Sequence, residues 1–515
     1  MHKTLVKLLA FAVCLLLSLA VLLRAQSGDN PLRFEVTLAP GLSQKLGGQA
    51  QSGRLFVILN HNEGGEPRVG AGRTGMDALP MFARDAAVSD EKAGVIDASC
   101  VAFPLGSLNE LKAGTYSAQA VLDTNRDLKG INSPGNLYSK PLRVQLDARR
   151  SAVVKLQLTE QLPAEQLPAE TEYVKYVRLQ SELLSKFWGR PIYLRAGVVL
   201  PRDFEREPER HYPVWVMIGG YGSRFTGAGR LARDGMWLAD GTPRMIAIQL
   251  DGAGPYGDPY QVNSANNGPY GDAISQELIP FIEKKYRGIG AGHARFLSGG
   301  STGGWVSLAL QIFYPDYFNG AWSFCADGVD FRGFQLINIY EDKNAYVNAH
   351  GFERPSARDL NGDVRFTIRH ECQMENVMGL RDSYTMSGEQ WGAWNAVYGP
   401  RGTDGKPAPL WDPKTGKINR ELAEHWKRYD LRLALERNWK VLAPKLRGKL
   451  TIWVGDADDY FLNNAVHLLD ASLSKLDPPY EGRIIYGPGK GHGWMALSER
   501  EIMTQMAAAM EKVRH

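Results

Sequence analysis

The stretch Phe296–Trp305 reads FLSGGSTGGW and contains the pattern Gly-x-Ser-x-Gly, with Ser301 at its centre. Apolar residues lead into it, and the apolar run VSLAL follows it. This context predicts a strand that turns sharply into a helix, with the serine exposed as a nucleophile on a strained turn. The N–H of Thr302, at the start of that helix, is then predicted to stabilise a tetrahedral oxyanion. A glycine-rich turn that merely contains a serine is the alternative, so the motif needs partners elsewhere in the chain.

A glycine-rich loop upstream supplies a candidate second oxyanion donor. The apolar run Pro213–Ile218 is followed by the residues GGYG at positions 219–222. Such a loop brings a backbone N–H close to a substrate carbonyl, because glycine has no side chain to block the approach. We predict that Tyr221 donates this N–H, with Gly220 as the second choice. A tight glycine turn without such a role is the competing interpretation.

Two segments downstream supply an acid and a base. The run Leu450–Gly455 predicts a strand, and carboxylates at the end of such a strand face the site-forming edge of an α/β sheet. The acids that follow it are Asp456, Asp458 and Asp459. We favour Asp458, since the loop has room there to turn its side chain toward a histidine. His492, which lies in the glycine-rich loop after the run Ile484–Tyr486, is the predicted general base. The order Ser301, Asp458, His492 is the one expected of a hydrolase triad on this type of sheet.

The chain divides into regions with different patterns. Within residues 30–160, apolar and polar residues alternate in the runs Arg33–Leu38, Arg54–Leu59, Ser117–Leu122, Arg143–Leu146 and Val153–Leu158. Such short runs, separated by turn residues, predict an all-β sandwich of immunoglobulin-like type. The tandem repeat EQLPA-EQLPA marks a linker over residues 161–172. From residue 173 to 515, apolar strand-like runs alternate with helical stretches, which predicts a doubly wound, mostly parallel sheet of the α/β class.

Composition and the N-terminus limit the partners and the compartment. The 515 residues carry a formal net charge of +4, and no basic run interleaved with aromatics occurs, so no nucleic-acid partner is predicted. Basic residues followed by a long apolar run make residues 1–25 a predicted signal peptide. The protein is therefore expected to be secreted or periplasmic. Membrane attachment is expected only if this segment is not cleaved.

The cysteine and histidine spacing gives no reason to expect a metal or another cofactor. No CxxC motif or paired histidines with zinc-ligand spacing occur. Cys325 and Cys372 are predicted either to form a disulfide in an oxidising compartment or to remain two buried thiols.

At these motifs the chain resembles the putative esterase family of α/β-hydrolases, which includes feruloyl esterases, acetyl esterases, S-formylglutathione hydrolases, enterochelin esterases and mycolyltransferases. The resemblance covers roughly residues 180–515. Its carriers are GVVLP at 197–201, IGG at 218–220, QELIPFIE at 276–283, GGSTGG at 299–304, GDAD at 455–458 and GH at 491–492. It implies the α/β-hydrolase fold and an esterase activity. Ile218 departs from the pattern, because the family usually has histidine before the first loop glycine.

A second departure is a lid-like insertion at residues 331–429, here called the insert. It is expected to cover the active site. Trp391 and Trp394 within it are predicted either to stack on a sugar or phenolic ring of the substrate or to form the core of the insert itself. Glu371 and Glu375, four residues apart, are expected to face solvent on a helix.

The leading hypothesis is a secreted serine hydrolase that cleaves a carboxylic ester through an acyl-enzyme on Ser301. The expected substrate is a small-molecule or carbohydrate-linked ester. A serine peptidase and an acyltransferase on the same triad are alternatives within the enzyme class. A non-catalytic binding protein on a hydrolase scaffold is an alternative of another class, and it would leave Ser301 unreactive.

Overall fold

The computed structural model describes residues 31–62, 64–233 and 235–512. The predicted signal peptide, residues 1–25, falls outside the described residues. Within the described ranges, no helix is both long enough and apolar enough to span a bilayer. Two large β-sheets organise this part of the chain, a nine-stranded sheet followed by an eight-stranded one.

The first sheet folds over on itself to enclose an apolar core. Its strands are β1 Arg33–Leu38, β2 Gln51–Asn60, β3 Met81–Val88, β4 Gly94–Ile96, β5 Val101–Phe103, β6 Gly114–Asp123, β7 Leu137–Ser139, β8 Leu142–Leu146 and β9 Val153–Gln161. They are ordered β4-β1-β9-β7-β6-β2-β3-β5, with β8 also paired to β6. Alternate side chains from strands that are far apart in this order, such as Phe34 on β1 and Val57 on β2, meet in one core without solvent contact. We call this part of the chain the sandwich.

The second sheet is mostly parallel. Strands beyond the sandwich are β10 Val174–Ser181, β11 Ile192–Val199, β12 Val214–Ile218, β13 Ile246–Leu250, β14 Asn263–Ser264, β15 Gly268–Pro269, β16 Arg295–Gly300, β17 Ala321–Phe324, β18 Pro355–Arg358, β19 Val364–Thr367, β20 Leu450–Gly455 and β21 Arg483–Gly487. The sheet order is β10-β11-β13-β12-β16-β17-β20-β21. Strands β10 and β11 pair antiparallel, and every pairing from β13 to β21 is parallel. The carboxyl ends of the parallel strands therefore meet at one edge.

Helices cover both faces of the second sheet. The α-helices are α1 Pro40–Lys45, α2 Glu182–Trp188, α3 Gly229–Arg233, α4 Gly235–Leu238, α5 Tyr270–Ala273, α6 Ile279–Tyr286, α7 Thr302–Phe313, α8 Ile368–Met378, α9 Gln390–Tyr398, α10 Arg420–Trp426, α11 Leu431–Leu446, α12 Asn463–Leu473 and α13 Glu499–Lys512. On β16, Phe296 packs in a cluster with Met503 of α13, whereas Leu297 faces the opposite side with Val306 of α7. The predicted fold class, an α/β-hydrolase sheet preceded by an all-β sandwich, is confirmed.

The insert joins the second sheet through an aromatic core. Trp391, Trp394, Tyr398 and Trp426 are at most 2% exposed, and their rings contact one another or Phe334 edge to face. These residues belong to the same apolar cluster as the strands of the sheet. The insert is therefore an integral layer of the catalytic region rather than a separate flap.

Helix α8 of the insert contacts the sandwich. Met374 and Val377 on this helix pack in one apolar cluster with Phe56 and Ile58 of β2. The imidazole Nε2 of His370, at the start of the same helix, accepts a hydrogen bond of 3.0 Å from the N–H of Gly75 in the sandwich. These contacts fix the insert between the sandwich and the second sheet.

A buried arginine crosses the same interface. The Arg54 side chain on β2 is fully buried, and its guanidinium donates to the carbonyls of Asn376 and Val377 at 3.2 and 3.0 Å. It also pairs with Asp85 and Asp382 at 3.0 and 2.8 Å, and both of these carboxylates are partly exposed. One side chain thus satisfies the C-terminal carbonyls of α8 from the other domain.

Replacing Arg54 by methionine is expected to lower the free energy of unfolding by about 2 kcal/mol, because two buried carbonyls lose their donor. Equilibrium unfolding in urea measures this difference. Arg150→Met is the control, since the Arg150 side chain is largely exposed and its pairing with Asp147 is long, at 3.6 Å. Its effect should stay within about 0.5 kcal/mol. Equal effects of the two substitutions would contradict the role assigned to Arg54.

Candidate active site

Ser301 occupies the sharp turn between β16 and α7. Its φ of 57° and ψ of −122° lie in a region that side-chain-bearing residues rarely adopt. The Ser301 N–H donates to the carbonyl of Phe324 at 3.0 Å, which anchors the turn to β17. A Cβ atom added to Gly299 or Gly303 would clash with the carbonyl oxygen of Ile218. Glycine is needed at both positions because the backbone doubles back against β12.

His492 and Asp458 form a hydrogen-bonded pair. Nδ1 of His492 lies 2.9 Å from Oδ2 of Asp458, whose side chain has no solvent contact. The other oxygen, Oδ1, accepts from the N–H groups of Tyr460 and Leu462 at 3.0 and 3.2 Å. The carboxylate is therefore held in one orientation, with a single oxygen directed at the imidazole.

The structure distinguishes the three candidate acids after β20. Asp456 is exposed, and Asp459 accepts the backbone N–H of His492 at 2.9 Å through Oδ1. Asp458 is the one that reaches the imidazole. Asp459 fixes the histidine loop, and Asp458 orients the ring.

The surroundings of His492 favour its charged form. Burial lowers the pKa of His492, but the hydrogen bond and charge of Asp458, with the charges of Asp327 and Asp459, outweigh that effect. The net result is a pKa above the ordinary value for histidine. An imidazolium formed during proton transfer would thus be stabilised in place.

The Ser301 hydroxyl faces a carboxylate that the sequence analysis missed. Oγ of Ser301 lies 3.4 Å from Oδ1 of Asp327, and Ser301 and His492 line the same cavity. Asp327 is 2% exposed and follows β17, the strand beside β16. A signal was present, because an acid after an apolar run at the carboxyl end of a parallel strand is the same pattern that identified Asp458.

The predicted oxyanion loop passes directly over Ser301. A Cβ added to Gly220 would lie 3.9 Å from Cβ of Ser301. The hydroxyl of the next residue, Tyr221, donates to the carbonyl of Gly388 in the insert, and burial raises the pKa of Tyr221 well above its ordinary range. Thr302 begins α7, and its hydroxyl donates to Asp327 at 3.1 Å. Both side chains hold their backbones in place, and the oxyanion role of the two N–H groups stays a prediction.

A cavity of about 510 Å³ adjoins Ser301 and His492. Its walls include Trp394 of the insert and, on the far side, Gly72 and Thr74 of the sandwich. Trp391 is 1% exposed, and its Nε1 donates to Glu371 at 2.8 Å, so this tryptophan belongs to the core of the insert. Of the two predicted ring-stacking residues, Trp394 borders the cavity.

The expectation that Glu375 faces solvent is wrong. Glu375 is fully buried and accepts the N–H groups of Trp391 and Gly392, each at 2.8 Å. Glu371 lines the cavity instead of the outer surface. The i, i+4 spacing correctly places Glu371 and Glu375 on one face of the helix, but that face is directed inward.

Cys325 lies beside the His492–Asp458 pair. Its sulfur, a carboxylate oxygen of Asp458 and a ring nitrogen of His492 lie within 4.8 Å of one another. Burial raises the pKa of Cys325 to about 11, so the thiol remains protonated and does not compete as a nucleophile. Cys325 and Cys372 are both buried and free, and of the two predicted alternatives the structure has the unpaired thiols.

Comparison with known proteins adds the following. The family model described as "Putative esterase" matches residues 192–472. No curated protein matches the chain. Among solved structures, the chain is similar to a ferulic acid esterase from Anaeromyces mucronatus, with 13% identity, a TM-score of 0.31, and coverage of 68% of this chain and 95% of that one. The S-formylglutathione hydrolase from Agrobacterium tumefaciens gives 12% identity, a TM-score of 0.34, and coverage of 67% and 95%. The fluorophosphonate-binding serine hydrolase F from Staphylococcus aureus gives 15% identity, a TM-score of 0.37, and coverage of 65% of this chain and 98% of that one.

The matched span contains the turn at Ser301, the oxyanion loop and Asp458, and it ends before His492. It also covers more than half of the chain. The chain therefore belongs to this esterase family and is an ester hydrolase.

Proposed function

We propose that the protein is a secreted serine hydrolase that cleaves a carboxylic ester through an acyl-enzyme on Ser301. The observation that carries this proposal is the oriented pair of His492 and Asp458, which shares one cavity with a serine held in a strained strand-to-helix turn. A serine alone is a weak nucleophile, and it requires a base held in reach. The cavity that Ser301 and His492 share supports that requirement, and Ser301, Asp458 and His492 each follow a different strand of the second sheet.

The proposed reaction has two steps. In the first, Oγ of Ser301 attacks the ester carbonyl carbon while His492 takes its proton, and the charge on the carbonyl oxygen is stabilised by backbone N–H groups of the oxyanion loop and of Thr302. The alcohol leaves with the proton from His492. In the second, His492 activates a water molecule that attacks the acyl-enzyme, and the acid is released with Ser301 restored. Asp458 holds the imidazole in the required tautomer throughout.

Labelling with a fluorophosphonate probe tests this proposal directly. A nucleophilic Ser301 should form a covalent adduct, found by mass spectrometry on the peptide that contains residues 296–305. A folded protein that hydrolyses no ester and gives no adduct at Ser301 would favour the alternative of a non-catalytic binding protein. Determination of the N-terminus of the mature protein tests secretion separately, and a start after Ala25, where the predicted signal peptide ends, is expected.

The pH dependence of kcat/KM should have its acidic limb above the ordinary histidine pKa of about 6.5. The neutral imidazole is the base, and the pKa of His492 is raised, so activity is lost as the pH falls through that raised value. Asp459→Asn removes one of the negative charges that raise it, and the limb should move to lower pH. A limb at or below 6.5 in the unmodified protein would contradict the assigned environment.

A further inference from the structure

The cavity beside Ser301 is lined by more acidic than basic side chains. Glu371, Glu375, Glu389 and Asp327 all line it. Among the described residues, none of these four carboxylates forms an ion pair with a lysine, arginine or histidine, and Arg365 is the only lysine or arginine that lines the cavity. Arg365 is directed toward Asp359, 3.6 Å away at the surface. The cavity therefore holds four carboxyl groups that no lysine or arginine of the described chain neutralises, with His492 as its other basic side chain.

Burial makes the ionised form of these carboxyl groups costly. Burial is the main cause that raises the pKa of Glu371, Glu375 and Glu389. The charge of Glu371 raises the pKa of Glu375 and Glu389 further. Hydrogen bonds from Ser356 and Trp391 oppose the effect of burial on Glu371. For Glu389 the pKa reaches about 7. Such carboxylates are stabilised in the charged form by any cation that enters the cavity.

Asp327 gives an independent indication of where such a cation binds. Its Oδ2 accepts hydrogen bonds from Tyr260, Thr302, Trp394 and Gln390, at 2.6, 3.1, 3.2 and 3.3 Å. Burial raises the pKa of Asp327, and these hydrogen bonds together with the charge of His492 act in the opposite direction. Its Oδ1 has only the Ser301 hydroxyl at 3.4 Å, beyond the usual range of about 2.5–3.0 Å for such a bond. Asp327 is 2% exposed, so Oδ1 is a buried acceptor directed into the cavity without a good donor.

The position of Oδ1 is compatible with a cation close to the carbonyl of the substrate. A carbonyl carbon poised for attack lies about 3–3.5 Å from Oγ of Ser301. A cationic nitrogen bound to Oδ1 lies about 2.7–2.9 Å from that oxygen. Because the two oxygens are only 3.4 Å apart, an amine one or two carbons from the carbonyl can meet both conditions without a longer chain between them.

We propose that the acyl group of the substrate carries a primary ammonium close to the ester carbonyl, as in an α- or β-aminoacyl ester, and that Asp327 and Glu389 bind this ammonium. The inference rests on the proposed function. The ammonium donates to Oδ1 of Asp327, and the carboxylate of Glu389 balances its charge from the insert. Ser301 takes up the aminoacyl group, the alcohol leaves, and water then releases the free amino acid.

A matched pair of esters tests the inference on the full chain. The p-nitrophenyl esters of β-alanine and of butyric acid have acyl chains of equal length, and an ammonium in one replaces a methyl group in the other. Each kcat/KM at pH 7.5 is divided by the rate constant of spontaneous hydrolysis of that ester. The resulting ratio should favour the β-alanine ester by about 10-fold or more. A ratio near one, or in favour of butyrate, overturns the inference.

Two variants assign the effect to the named carboxylates. Asp327→Asn and Glu389→Gln should each lower the ratio by about 3- to 10-fold. Asp456→Asn removes an exposed carboxylate outside the cavity and should leave the ratio unchanged. An equal fall in all three variants, or no fall in either cavity variant, overturns the inference; if Asp327→Asn does not fold, Glu389→Gln alone is decisive. Failure of the proposed function is distinguishable, because the unmodified protein would then hydrolyse neither ester faster than Ser301→Ala does.

Discussion

Replacing Ser301 by alanine is expected to reduce kcat/KM for p-nitrophenyl acetate by about 10⁵-fold, since the hydroxyl forms the acyl bond itself. The fold should be unaffected. The side chain makes one long contact, to Asp327 at 3.4 Å, and alanine carries the same Cβ at a φ of 57°. The thermal unfolding midpoint of the variant should therefore match that of the unmodified protein.

Ser298 provides a matched control on the same strand. Its hydroxyl accepts the Nε1–H of the buried Trp215 at 2.7 Å, and it takes no part in the proposed reaction. Ser298→Ala should lower the free energy of unfolding by about 1–2 kcal/mol, because a buried donor loses its partner, while the esterase activity of the folded protein persists. We therefore expect opposite results for the two variants: Ser301→Ala should lose activity and keep its stability, and Ser298→Ala should lose stability and keep its activity. Esterase activity retained in Ser301→Ala would refute the assignment of the nucleophile.

The central turn and its partners could be predicted because their signals are local in sequence. The glycines around Ser301 are required by a close approach to β12, and such a requirement is visible as a short motif. The acids after Leu450–Gly455 follow from the rule that parallel strands end at one edge. The choice of Asp458 among them depended on the geometry of the loop. In the structure, the N–H groups of Tyr460 and Leu462 hold the Asp458 carboxylate in its orientation.

The contacts between distant segments could not be predicted in this way. Arg54 is a polar residue in an alternating strand, a pattern typical of a side chain facing water. Arg54 does face away from the core of the sandwich, but α8 of the insert covers it. The carbonyls that accept its hydrogen bonds lie more than 300 positions further along the chain. Glu375 was misassigned for the same reason, because the pattern of a helix does not reveal what packs on its polar face.

These long-range contacts also determine the shape of the cavity. Gly72 and Thr74 of the sandwich form one wall, Trp394 and Glu389 of the insert form another, and Ser301 lies at the base. The sandwich thus forms part of the cavity beside Ser301 and is not only an appended module. A family motif centred on the nucleophile identifies the reaction, whereas the substrate depends on segments that the motif does not include.

Asp458→Asn should reduce kcat/KM by about 10⁴-fold while leaving the fold intact. The reason lies in how the carboxylate is held. The asparagine oxygen would keep the N–H groups of Tyr460 and Leu462, so its amide NH₂ would face Nδ1 of His492. An NH₂ donor forces Nδ1 to accept, which moves the ring proton to Nε2, the nitrogen that must take the proton from Ser301. Asp456→Asn, two residues earlier and exposed, should retain full activity. Equal losses in the two variants would point to a general effect of loop charge, and would contradict the specific orientation of His492 by Asp458.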